Sequence, residues 1–137
     1  MVRLALSSDI DNILELLNQF HNELFNRDLP SIAYEKTKEI VENCDLLLVS
    51  ERNHVLTGVF AAIEIQDIYK GSVLVELYWY ANGGDALRLL QRAEKIADYN
   101  DMILRVTGLV SYAGLIERLD KRKGYDMIEV MYERKKQ

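Results

Sequence analysis

The chain has 137 residues, 49% of them hydrophobic and 28% charged, with a net charge of −5 and a single proline. That length fits one domain, residues 1–137, with enough apolar content for a core. The acidic balance argues against a nucleic-acid binder, whose surface would be basic, and the apolar runs fall far short of the roughly 20 residues needed to cross a bilayer.

The N-terminus, MVRLALSSD, carries one basic residue and a short apolar run that meets an acidic helix start, unlike a signal peptide. One cysteine, Cys44, excludes an internal disulfide framework and suits a reducing, cytoplasmic setting. No Cys–His context surrounds it, so it reads as a small, semi-buried thiol. No internal repeat is visible, and order is expected up to the last few residues, Arg134 to Gln137.

Residues 2–6, VRLAL, read as a first strand, and Ser8-x-x-Asp11 has the spacing of a capping box with Asp in place of Glu. Ile10, Ile13, Leu14, Leu17, Phe20 and Leu24 follow at helical spacing. Pro30 breaks this helix, and a second is expected from Ser31 to about Asn43, with Ile32, Ile40 and Val41 inward. Leu46–Ser50 and Val55–Gln66, separated by ERNH, read as an antiparallel hairpin. A further strand is expected over Val73–Tyr80. Ala86, Leu89, Leu90, Ala93, Ile96 and Ala97 then mark a strongly patterned helix.

Met102–Val106 reads as a strand, Tyr112–Lys121 as a shorter helix, and Gly124-Tyr125 leads into a last strand in which Ile128, Val130 and Tyr132 share one face. The order β-α-α-β-β-β-α-β-α-β describes an α/β (α+β) domain with a mixed sheet. Residues 73–107 should form a crossover between parallel strands.

The stretch WYANGGDALRLL, residues 79–90, passes from strand to helix through two glycines. Asn82, Gly83, Gly84, Asp85 and Ala86 can present a nest of N–H groups to an anion at a helix N-terminus, with the glycines supplying positive φ and close approach. They can equally form a plain tight turn. Asp85 would make a good N-cap, but its carboxylate would repel a phosphate unless turned outward, with Arg88 one turn on to compensate. No His/Cys/Asp/Glu grouping has metal-ligand spacing, and no nucleophile elbow or Walker loop is present.

The element order and four signatures together resemble the GNAT superfamily of acyl-CoA-dependent N-acetyltransferases, over nearly the whole chain. VRLALSSDIDNILELLNQFHNE is similar to that family's first strand and helix, and LLLVSERNHVLTGVFAAI to its hairpin, with Gly58 early in the third strand. VELYWYANGGDALRLLQRAEKIADYNDMILRV resembles its cofactor motif, and LIERLDKRKGYDMIEVMYERK its ending. The compact form also resembles some phage-encoded members.

The departures are local. The pyrophosphate loop of the family places Arg or Gln where this chain has Ala81, so the loop is degenerate here. The family's general-acid tyrosine falls on Asp120, and an asparagine of the last helix near Ala113.

The resemblance implies acetyl-CoA as co-substrate and direct transfer of its acetyl group to an amine, on a small molecule or a peptide. It implies that the backbone of Tyr78, Trp79 and Tyr80 pairs with the pantetheine arm as an added strand, although those aromatics could simply pack across strands. It makes Glu76 the candidate general base, with desolvation raising its pKa, although a strand carboxylate is more often exposed. Tyr112 or Ser111 would replace the missing general acid. Lys121, Arg122 and Lys123 would meet the nucleotide's 3′-phosphate or merely be solvated, and the basic tail at Arg134 to Lys136 reads as solvated. His54 reads as an exposed turn residue and His21 as a satisfied helix-end histidine. Glu23, Asp28 and Glu64 would suit a cationic acceptor, and an exposed strand edge would allow a homodimer. The alternative is a non-catalytic chain of the same fold that binds CoA or a protein partner.

Overall fold

The computed structural model describes residues 1–82, 84–107, 118–119, 121–122, 124–126, 128, 132 and 134–136. Met1–Val106 form one compact unit and Thr107–Gln137 a second. The first unit holds β1 (Val2–Leu4), α1 (Ile10–Phe25), α2 (Ser31–Asn43), β2 (Leu46–Arg52), β3 (Val55–Asp67), β4 (Gly71–Ala81), α3 (Asp85–Tyr99) and β5 (Ile103–Arg105). These are the first eight elements in the expected order. In the second unit Arg118, Leu119 and Lys121 are helical, within the expected helix. Ile128 and Tyr132, at two positions of the expected last strand, are exposed and not in a strand. The rest of those two elements lies outside the described residues.

The sheet runs β1-β2-β3-β4-β5, with β1 to β4 antiparallel and β4 parallel to β5. The parallel pair, Val73↔Ile103 to Val75↔Arg105, is the crossover the sequence calls for. One face of the sheet is covered by α1. There Ile13 and Leu17 pack with Val41, Val49 and Val59, and Tyr78 lies against them. Leu16 joins the buried side of α1, while Phe20 and Leu24 are half-buried. α3 covers the other face through Leu89, Leu90, Ala93 and Ala97, all buried.

Helix boundaries differ from the sequence reading in two places. The start of α1 is fixed by Asp9, not Ser8. Its carboxylate accepts the Leu6 N–H at 2.7 Å and two hydrogen bonds from Arg3, at 2.8 and 3.0 Å. A carboxylate beats a hydroxyl here because the charged acceptor makes stronger bonds and has a guanidinium to pair with. α1 then ends at Asn26 in the left-handed region (φ 54°), four residues before Pro30. In α2, Val41 is buried but Ile40 is 42% exposed, and Thr37 fills the inner position. Positions 37 and 41 are one turn apart, whereas 40 is rotated by about 100°; the side chain of Ile32 lies outside the described set.

Two irregularities shape the sheet. Between β2 and β3 the register passes from Ser50↔Gly58 to Glu51↔Leu56, which leaves Thr57 as an extra residue on β3. Between β3 and β4 it passes from Ala61↔Tyr78 to Ala62↔Glu76, which leaves Leu77 extra on β4. Such bulges re-aim side chains and interrupt the ladder locally.

Gly58 sits where α3 comes closest to the sheet. A Cβ there would lie 2.6 Å from both Ala81 Cβ and Ser50 Oγ, and 2.9 Å from Leu89 Cδ1. Gly58→Ala is expected to destabilise the fold by about 1–3 kcal/mol, the usual cost of overpacking, measurable as a lower urea midpoint. The Arg3 hydrogen bonds hold the Asp9 carboxyl below its ordinary value of 3.8, against the opposing effect of burial. Its contribution to stability is therefore complete above that value and lost as pH falls through the lower folded pKa. Asp9→Asn should flatten the acid limb of a Tm-against-pH curve while lowering Tm at neutral pH.

Candidate functional site

The glycine turn lies at the end of β4, where several elements meet. Gly84 precedes α3 with φ −84° and ψ 5°, and no side chain caps the helix. The first N–H groups of α3 have no acceptor within the helix. The expected positive φ is absent at Gly84, and a Cβ on it would meet nothing within 4 Å. Neither backbone strain nor crowding by this chain therefore requires glycine at 84. Its missing side chain instead leaves the space in front of the helix open. Gly83 lies outside the described residues.

Asp85 is not the N-cap but the first residue of α3, with a side chain only 1% exposed. Its carboxylate turns inward to the β2–β3 hairpin, not out to solvent. Arg52 Nε donates to Oδ2 at 3.0 Å and Nη2 to Oδ1 at 2.8 Å, a bidentate pair, and the Thr57 hydroxyl donates to Oδ2 at 2.7 Å. Thr57 gives its only proton to Asp85, so the buried Ser50 hydroxyl, 2.9 Å away, donates to Thr57. The Arg52 hydrogen bonds, joined by that from Thr57, outweigh burial and hold the Asp85 carboxyl down at about 2. Arg88 Nη1 lies 3.7 Å from the same carboxylate. Two exposed guanidiniums thus face one carboxylate, and the start of α3 carries a surplus positive charge in addition to the helix dipole.

Position 81, where the resemblance looks for a basic residue, is opposite Gly58 in the ladder, and its Cβ points into the contact beneath α3. The cations near the turn come from Arg52 and Arg88 instead. Sequence reasoning found Arg88 and missed Arg52, because Arg52 comes from a different hairpin and no local motif marks it.

The aromatic run of β4 divides between the faces. Tyr78 and Tyr80 face α1, where Tyr80 stacks on Phe20 at 4.8 Å between ring centres. Trp79 faces α3, against Phe60, and its indole N–H donates to the Ala86 carbonyl at 3.0 Å. Tyr80 Oη lies 2.9 Å from Glu23 Oε1 and 3.0 Å from the Asn82 side-chain amide. A phenol has one proton, so it donates to the carboxylate, with Asn82 turned to donate to the phenol.

The side chains of Tyr78, Trp79 and Tyr80 are thus used within the chain, and only the backbone of β4 is left for a ligand. β5 pairs with β4 only over Val73–Val75, so among the described residues no strand covers the outer edge of Glu76–Ala81. Glu76 is half-buried, sits opposite Ala62, and immediately precedes the Leu77 bulge. Tyr112, Ser111 and Asp120 lie outside the described residues.

His21 is held at the end of α1, its Nδ1 2.9 Å from the Arg27 carbonyl and its ring against Phe25. His54 is an exposed turn residue with φ 64°. Glu23 and Asp28 line an open groove of about 720 Å³ beside α1, together with Glu15, Asn22 and His54. Glu64 lies apart from them on β3, its N–H bonded to Asp45. Among the described residues no helix is long and apolar enough to cross a membrane.

No family model matches the sequence, and no curated protein matches it. Solved structures do. A possible acetyltransferase from Clostridium difficile 630 matches with a TM-score of 0.79 at 16% identity, over 98% of this chain and 96% of its own. A GNAT family acetyltransferase from Staphylococcus aureus matches at 0.69 and 16% identity, over 98% and 97% of the two chains. An aminoglycoside acetyltransferase from an uncultured soil metagenomic sample, in complex with sisomicin, matches at 0.70 and 12% identity, over 99% and 96%. These identities carry architecture and not chemistry. The chain has the fold of the GNAT acetyltransferases.

Proposed function

We propose that the chain is an acetyl-CoA-dependent N-acetyltransferase that moves the acetyl group directly to an amine. One observation carries this reading: the start of α3, without a side-chain cap, open at Gly84 and flanked by Arg52 and Arg88, follows on β4, along whose Glu76–Ala81 stretch no strand lies on the β5 side among the described residues. An elongated ligand with phosphates at one end and amides along its length matches both features. Acetyl-CoA would supply the acetyl group as a thioester.

In this reading Gly83, Gly84, Asp85 and Ala86 present their backbone N–H groups to the pyrophosphate, with Asn82, its own N–H held by the Thr57 carbonyl, bordering the turn and Arg88 adding charge. The backbone edge at Tyr78, Trp79 and Tyr80 pairs with the pantetheine amides. Leu77, left without an opposite residue in the register by the bulge, would turn its backbone N–H to the thioester carbonyl as negative charge develops there. Glu76, next to it, takes the proton from the attacking amine, and Tyr112 protonates the leaving thiolate. Holding both reactants in one cleft supplies much of the acceleration.

The acceptor we propose is a small cationic amine. Glu23 and Asp28 line one groove beside α1, and a solved neighbour of this fold is an aminoglycoside acetyltransferase. The competing reading, a chain that holds CoA or a protein without transferring acetyl, is favoured by Ala81 and Asp120 standing where the family has functional side chains.

Coenzyme A or acetyl-CoA at about 100 times its Kd should raise stability by roughly 2.7 kcal/mol in a thermal scan, with ATP as the phosphate control. No shift at millimolar ligand would end the cofactor reading; a shift without turnover on any amine would favour the competing one. Gly84→Val should keep the fold, since φ −84° suits valine and nothing crowds the site. By calorimetry it should lose coenzyme A binding; retained binding would remove the turn from the site. Glu76→Gln should leave that binding unchanged and lower kcat by about a hundredfold or more, with the acidic limb of the pH–rate profile lost.

A further inference from the structure

Thr57 touches both shoulders of the glycine turn. Its carbonyl accepts the Asn82 N–H at 2.8 Å, before the glycines, and its hydroxyl donates to Asp85 at 2.7 Å, after them. It can do both because it is the extra residue of the β2–β3 bulge, which frees its side chain from strict alternation between the faces. Arg52 completes the contact from the last pair of the same hairpin, Arg52↔Val55. The two-residue turn between them, Asn53-His54, has φ values of 52° and 64°. Two residues other than glycine in the left-handed region are an unfavourable choice that fixes a tight turn.

From this geometry we infer that Arg52, Thr57 and Asp85 form a latch that positions the first turn of α3 for an anionic ligand. Arg52 and Thr57 are then positioning residues that act through Asp85. The inference rests on the cofactor reading above and adds residues from a hairpin which that reading does not use. An ion pair with a buried carboxylate and an exposed guanidinium contributes little net stability, because desolvating the carboxylate offsets much of the attraction and solvent screens the rest. What it fixes is geometry: a bidentate fork and a hydroxyl hold one carboxylate in one place. The carboxylate belongs to the first residue of the helix, so its placement sets the direction of the N–H groups beside it.

Charge and geometry predict opposite effects, which makes the latch testable. Asp85→Asn removes a negative charge from the anion-binding end; on charge alone, coenzyme A should bind more tightly. Arg52→Lys keeps the charge and loses the fork; on charge alone, binding should not change. The latch predicts that both weaken coenzyme A by about tenfold or more, the scale of one unsatisfied buried polar group. Thr57→Val should do the same with no change in charge.

The experiment is calorimetric titration of coenzyme A into the full-length wild type and the three variants, each well below its own Tm. Amide hydrogen exchange of the free proteins is measured in parallel. The expected result is weaker binding together with faster exchange at Asn82, whose N–H the Thr57 carbonyl holds, and at Leu89 and Leu90, whose N–H groups close the first turn of α3 onto Asp85 and Ala86. Tighter or unchanged binding by Asp85→Asn and Arg52→Lys, or unchanged exchange at those amides, overturns the latch. Should Asp85→Asn fail to fold, Arg52→Lys and Thr57→Val decide alone. A wild type that does not bind coenzyme A removes the cofactor reading and the ligand half of this inference, while exchange still decides whether the three side chains order the turn.

Discussion

The burial of one carboxylate, that of Asp85, at the first residue of α3 is the constraint on which this end of the molecule depends. An ionised group that is 1% exposed needs its partners in place, and the partners come from two strands of the sheet. Gly58 makes this possible by letting α3 settle until Asp85 reaches Thr57 and Arg52. Trp79 ties the next residue of the helix, Ala86, to β4. The glycine turn is therefore suspended between fixed supports, and its own residues need no side chains.

The same device occurs on the opposite face. Asp9, just before α1, accepts a bidentate pair from Arg3 and caps Leu6, as Asp85 accepts one from Arg52. Neither α1 nor α3 has a side-chain N-cap. In both, the direction of the helix is set by an Asp–Arg fork to a strand. The end of β2 serves both forks: Glu51 binds Arg3, and Arg52 binds Asp85. Successive strand residues face opposite sides of a sheet, so two neighbours on one strand reach a helix start on each face. A slip of one residue in β2 would exchange a carboxylate and a guanidinium and break both contacts. The two forks therefore reinforce the β2–β3 register that the hydrophobic alternation sets.

Elements carried by periodicity could be read from the sequence, and contacts carried by the fold could not. The stripes of α1 and α3 announce their buried faces because a helix repeats its environment every turn. The β2–β3 hairpin announces itself through two apolar runs and a polar turn. The bulges at Thr57 and Leu77 leave no comparable trace, since a bulge is one residue whose meaning lies in its partner strand. Ile40 and Val41 were indistinguishable by hydrophobicity, and only the packing of α2 separates them. At the site, the glycines, β4 and Arg88 were legible, while Arg52 was not. The two-residue turn after Arg52 was an available signal, since it puts Arg52 at the same end of the sheet as the start of α3.

Ala81 shows how a site can shift its parts without losing its logic. A family-like loop would carry its cation one strand residue before the turn, but here that position is Ala81, opposite Gly58 in the ladder. The cations near the turn come instead from α3 itself, as Arg88, and from an element that passes close by. The β2–β3 hairpin does so, because its bulge places Thr57 level with Asn82. Arg52 supplies the charge, and Asp85 fixes where that charge sits. The close packing of Leu89 over Gly58 brings α3 within reach of Arg52, so the ion pair at the turn depends on a glycine one strand away from it.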